Sequence, residues 1–296
     1  MSDDTVSEGG SQAAPADWRA FPWVPIAWFG VLLILCYAPV LKRLVVQWAT
    51  DGDMGHGFFV PLVAGYIAWQ RRDELLAAPP VPNWWGLAVL VWGALQLFFA
   101  TLGAELFLAR TALIVSLVGM ILLLAGSRIL RILAFPLFLL LFMVPIPNII
   151  YNQITFQFQL IASRLAEMAL GVLGVPVLRE GNILELASQR LSVVEACSGI
   201  RSLLTLSFLS LVYAYFFDKK VWMRFALLLA AAPIAIVANA SRVTIAGLLS
   251  EVNPKLAEGV FHTASGWLIF MVALLILIVV HAAINRIYRL FHHAAT

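Results

Sequence analysis

Residues 259–285 read GVFHTASGWLIFMVALLILIVVHAAIN, without one Asp, Glu, Lys or Arg. About 20 apolar residues carry a helix across a hydrocarbon core about 30 Å thick, so this stretch is long enough to span a membrane. In lipid its backbone can satisfy its own polar groups only as a helix or within a closed barrel. Seven more uncharged stretches lie upstream, at 20–41, 54–70, 75–104, 111–127, 132–163, 202–217 and 225–241. In stretch 75–104 the loop AAPPVPN moves the helix start to near Trp84. Pro145-Ile146-Pro147-Asn148 breaks stretch 132–163, so only its first half spans. The predicted fold is an all-α polytopic membrane protein with about eight transmembrane helices, a small outer-face amphipathic helix and a β-hairpin.

Composition agrees. The chain has 296 residues, 62% hydrophobic and 12% charged, with mean hydropathy +0.94. That balance excludes a single water-soluble domain and a disordered chain. A net charge of +3, spread along the sequence, argues against nucleic-acid binding. Two cysteines, Cys36 and Cys197, make no disulfide framework, and no CxxC or Cys/His zinc spacing occurs. No metal or cofactor is expected.

The domain reading is a disordered cytoplasmic tail at 1–19, a transmembrane domain at 20–290 with an outer-face segment at 146–199, and a second cytoplasmic tail at 291–296. The acidic lead-in and the 22-residue apolar run at 20–41 do not suit a signal peptide. With the N-terminus inside, the inner loops carry nine Lys/Arg against three Asp/Glu, and the positive-inside rule places both termini in the cytoplasm. In the outer segment, Phe156, Leu160, Ile161, Leu165 and Met168 fall at helical spacing. A hairpin about Gly181-Asn182 follows and leads into Glu195-Ala196-Cys197-Ser198-Gly199.

Polar residues in or beside spans are candidates for function. Three converge on the outer face in this topology: Cys197 at the start of span six, Arg242 just past span seven, and His262 at the start of span eight. A helix N-terminus favours thiolate, Arg201 and Arg242 can add positive charge, and His262 can carry a proton. That is equipment for cysteine acyl transfer. The plainer alternatives are a packing cysteine, a lipid-anchoring arginine and an interfacial histidine. His281 lies deep in span eight and is expected to matter little for turnover. Cys36, with no charged neighbour, reads as packing. Asp51-Gly-Asp53-Met-Gly-His56-Gly57 suggests metal only weakly and is equally compatible with ligand docking or with ordering the entrance to span two.

Val194-Glu-Ala-Cys197-Ser-Gly-Ile-Arg201-Ser, Asn239-Ala-Ser-Arg242-Val and Phe261-His262-Thr-Ala-Ser-Gly266 together resemble the exosortases, a family of bacterial membrane-embedded cysteine transpeptidases. The entrance motif His56-Gly-Phe-Phe-Val-Pro, with Tyr66-Ile-Ala-Trp69 and Arg71-Arg72, is similar to that family too, and the type A subfamily linked to exopolysaccharide clusters is nearest. The resemblance implies a cysteine transpeptidase or peptidase that cleaves the C-terminal PEP-CTERM sorting signal of secreted proteins and passes them to an acceptor. Cys197 matches the nucleophile, Arg242 the arginine and His262 the third catalytic position. Arg201, Glu195, Ser198, Asn239 and His56 are assigned to substrate binding. The implied partners are PEP-CTERM proteins, membrane lipid, and an acceptor such as a lipid or glycan amine, with no nucleic acid. The implied location is the bacterial inner membrane, with the site on the periplasmic face. The alternative is a non-enzymatic component of exopolysaccharide assembly or export.

Overall fold

The computed structural model describes residues 23–193, 199–253 and 259–293, with residues 259–263 and 292–293 described by their backbone alone. The expected tail at 1–19 lies outside the described residues. The helices are α1 (Trp23–Thr50), α2 (Phe59–Gln70), α3 (Arg72–Ala77), α4 (Trp85–Leu102), α5 (Leu106–Leu124), α6 (Gly126–Leu139), α7 (Asn148–Val172), α8 (Ile200–Phe217), α9 (Val221–Val252) and α10 (Gly259–His293). Between α7 and α8 lie strands β1 (Val177–Glu180), β2 (Ile183–Leu186) and β3 (Arg190–Ser192). Among the described residues seven helical segments are long and apolar enough to cross a membrane. Their outward surfaces carry large apolar side chains such as Trp92 (64% exposed), Leu229 (76%) and Leu275 (59%). Such surfaces are a liability in water and suited to lipid.

The chain forms two compact units, meeting in sequence at Val144 and Pro145. In the first, α4 and α5 form a tight antiparallel pair. A Cβ at Gly119 would lie 2.7 Å from Leu90 N, so the two backbones touch where a side chain would hold them apart. Glu105 caps α5 by accepting from Leu108 N at 2.6 Å. Tyr37 on α1 reaches Ser116 Oγ on α5 at 2.8 Å, and Trp48 Nε1 donates to Met143 O at 2.9 Å.

The expected second span differs from expectation. α2 has 12 residues, about 18 Å of rise, too short to cross alone. A 3₁₀ segment, Gly52–Phe58, precedes it. The Asp51 carboxylate accepts from Asp53 N at 2.9 Å and starts this tighter turn in a glycine-rich stretch.

In the second unit α9 packs against α7, α8 and α10. It has 32 residues, about 48 Å, so it outruns a hydrocarbon core by several turns. Its last turns join the sheet: Leu184, Leu186, Leu191 and Val193 bury against Ala166 and Leu170 of α7 and Val243 and Ala246 of α9. The expected hairpin is a three-stranded antiparallel sheet of order β1-β2-β3. Its Gly181-Asn182 turn is pinned to α7, where Ser163 Oγ donates to Gly181 O and Asn182 Nδ2 donates to Gln159 Oε1, both at 3.0 Å. Arg179 pairs with Glu167 of the same helix at 2.8 Å. Ser188 donates from its N–H and its hydroxyl to Glu251 of α9. The amphipathic helix and sheet therefore form one small layer fixed to the end of α9.

Candidate active site

α8 opens at Gly199, whose φ of +67° is strained for a residue bearing a Cβ. A Cβ there would also lie 2.8 Å from Asn239 Nδ2. Asn239, on α9, is 4% exposed, and its buried Nδ2 finds no acceptor among the described residues. Arg242 follows one turn later on the same face of α9. Its guanidinium lies against the α10 backbone at Gly266, where a Cβ would stand 2.9 Å from Cζ and Nη2. Glycine at 266 thus gives the guanidinium its seat.

Asn239, Arg242, Gly266 and Ser202 of α8 share a cavity of about 10 Å³, also lined by apolar residues including Leu206 and Phe270. That is room for about one water. A planar guanidinium beside a buried amide is suited to holding a carboxylate or a developing oxyanion.

The arginine does not stand past a helix end, as the hydropathy boundary at 241 suggested. α9 continues through Val252, and Arg242 sits where its environment changes from apolar helices to the α7–sheet layer. Arg201 is exposed in the first turn of α8, and its neighbour Ser202 lines the cavity. Glu195, Cys197 and Ser198 lie outside the described residues, as does the side chain of His262. In backbone register His262 precedes Gly266 by one turn of α10. His56 belongs to the other compact unit, where it is 9% exposed with Nε2 3.1 Å from Phe142 O, an arrangement that joins the 3₁₀ segment to the end of the α6 segment. Cys36, expected as a packing residue, is exposed on α1.

Residues 48–279, more than three-quarters of the chain, match the family model of the transmembrane exosortases (Exosortase_EpsH). The chain belongs to that family. The match takes in every motif quoted from the sequence, including all three segments that meet around Arg242. No curated protein and no solved structure matches the chain.

Sequence reasoning missed the partners of two buried polar groups. Arg110, treated as a boundary between apolar stretches, lies inside α5 at 4% exposure and donates to Gln47 at 2.6 Å. His281 is part of a network some 15 residues, about 22 Å, along α10 from Gly266. Its Nδ1 meets Tyr213 Oη at 3.0 Å and its Nε2 meets Asp218 Oδ2 at 3.1 Å, while Asn285 donates to the same Asp218 oxygen at 3.0 Å. Lys220 donates its N–H to Asp218 and its ammonium to Asn285. Burial pushes the Asp218 carboxyl up, but bonds from the Lys220 N–H, Asn285 and His281, with the Lys220 charge, outweigh it and hold the group below the usual carboxylate range. The signal was available: an Asp-Lys-Lys turn and a His-x-x-x-Asn pair one helical turn apart.

Proposed function

We propose that this exosortase is a cysteine transpeptidase of the bacterial inner membrane that processes secreted proteins carrying a C-terminal Pro-Glu-Pro segment, a hydrophobic span and a basic tail. Both termini are cytoplasmic, and the site opens to the periplasmic face. The Cys197 thiolate attacks the scissile carbonyl while Arg242 holds the developing oxyanion. The C–N bond breaks as His262 delivers a proton to the departing amine, leaving a thioester on Cys197. An acceptor nucleophile then attacks the thioester, gives its proton to the now neutral His262, takes the acyl group and releases the sulfur as thiolate. Arg201, at the exposed start of α8, attracts the acidic residue of the signal, and Asn239, Glu195 and Ser198 contribute to binding it.

The observation that carries this reading is the packing at Gly199, Asn239, Arg242 and Gly266. It joins three segments that are far apart in sequence. Cys197 precedes Gly199 by two residues, and two peptide units reach at most about 7.6 Å. A plain lipid-anchoring arginine has no need to seat itself on a glycine of a neighbouring helix.

The test is a co-expressed reporter bearing such a signal, with its new C-terminus read by mass spectrometry. The wild type should yield a truncated, acceptor-linked product, Cys197→Ala none, and His262→Ala a trapped thioester or slow turnover. Equal product from Cys197→Ala would refute the mechanism.

A further inference from the structure

Val193 N donates to Asn182 O and Leu186 N donates to Gln189 O, each at 3.0 Å. In an antiparallel ladder alternate residues face the partner strand. Positions 189, 191 and 193 therefore turn their main-chain groups to β2, and those of Arg190 and Ser192 turn away. β3 is an outer strand of the sheet, and among the described strands only β2 pairs with it. The opposite edge differs. There β1 lies along α7, and Arg179 is tied to Glu167 and to Gly181 O. The side chains of Leu191 and Val193 anchor β3 in the core, at 8% and 0% exposure, so the strand is held while its outer edge pairs with no other strand among the described residues. An unpaired edge on a held strand is a template for another extended chain.

We propose that an extended segment of the peptide substrate pairs with Arg190 and Ser192 of β3 as a fourth strand, and is led by that pairing to Cys197. This rests on the transpeptidase reading above and adds a binding subsite to it. Ser192 stands five residues before Cys197, a reach of at most about 18 Å, so a peptide on this edge is bound a few residues from the bond to be cut. Main-chain pairing supplies affinity without demanding particular side chains. A Pro-Glu-Pro segment fits an outermost strand: prolines two apart turn their missing N–H groups away from β3, and the Glu N–H and C=O face it.

Ser192→Pro removes the outward N–H and leaves the β2 ladder whole, because residue 192 makes no ladder bond and edge strands accept proline. With purified exosortase in lipid nanodiscs and the same reporter, Ser192→Pro should raise KM about tenfold, the worth of roughly one main-chain hydrogen bond, with kcat within about twofold. Val177→Pro, on the opposite edge, should leave both constants unchanged. Maleimide labelling of Cys197 should proceed in Ser192→Pro at the wild-type rate. An unchanged KM, an equal loss in Val177→Pro, or altered labelling of Cys197 would overturn the proposal. A photo-crosslinking residue at position 190, in a Cys197→Ala background, decides independently of whether the proline variant folds. Adducts to the reporter beside its signal support the docking strand, and adducts only to a second copy of the exosortase, or none to the reporter, defeat it. If Cys197→Ala still processes the reporter, the transpeptidase reading fails, while the crosslink continues to report on the edge.

Discussion

Gly266→Ala tests how the arginine is placed. The new Cβ would stand 2.9 Å from Arg242 Cζ. Carbon atoms rest about 3.5–4.0 Å apart, so the guanidinium must retreat by about 0.6–1.1 Å. A displacement of about 1 Å in a positioned group costs on the order of 100-fold in rate. Gly266→Ala should therefore lower kcat about 10- to 100-fold on the reporter, with a smaller change in KM. Stability should move the other way or stay level, because alanine in a helix interior is favoured over glycine by up to about 1 kcal/mol. The assay pairs initial rates in nanodiscs with thermal unfolding of the same preparation. Loss of rate with retained melting temperature identifies Gly266 as the seat of a working arginine. Wild-type kcat in Gly266→Ala would refute the reasoning, because the guanidinium would then be free to act from elsewhere.

Other outcomes follow from the same geometry. Arg242→Lys keeps charge and loses the planar fork, so kcat should fall about 100-fold, whereas Arg201→Lys, at an exposed position, should change kcat/KM by less than about fivefold; equal tolerance at both positions in rate assays would remove the oxyanion role. His281→Ala leaves Tyr213 and Asp218 each short of a buried partner, and should cost about 2–4 kcal/mol in denaturant unfolding while kcat per folded molecule holds. Because the Asp218 carboxyl is lowered in the folded state, its stabilisation is complete above the ordinary carboxylate pKa of about 3.9 and is lost as pH falls through the lower folded value. Unfolding measured from pH 5 down to pH 2 should show this loss, and Asp218→Asn should flatten it.

The periodicity-free apolar runs fixed the class of the molecule without help, because lipid imposes a length and a composition that any reader of residues 259–285 can see. The glycine turn at 181–182, helical spacing from Phe156 to Met168 and the motifs about 199, 239 and 266 were likewise legible as local features. What local features could not give was how far helices run beyond the hydrocarbon. α9 passes its apolar boundary by eleven residues because its end packs on a sheet and on α7, and so Arg242 lies within a helix and not at its end. Hydropathy also made one span of residues 54–70, where an aspartate cap and three glycines tighten the entrance into a 3₁₀ segment. The third strand, at 190–192, is too short to announce itself and exists because Leu191 and Val193 bury against helices distant in sequence. Arg242 meeting Gly266, and His281 meeting Asp218, are likewise decisions of the tertiary structure. A sequence names the groups that can interact, and only the packing of α8, α9 and α10 settles which of them stand within contact, since helix faces choose their neighbours by the fit of many side chains at once.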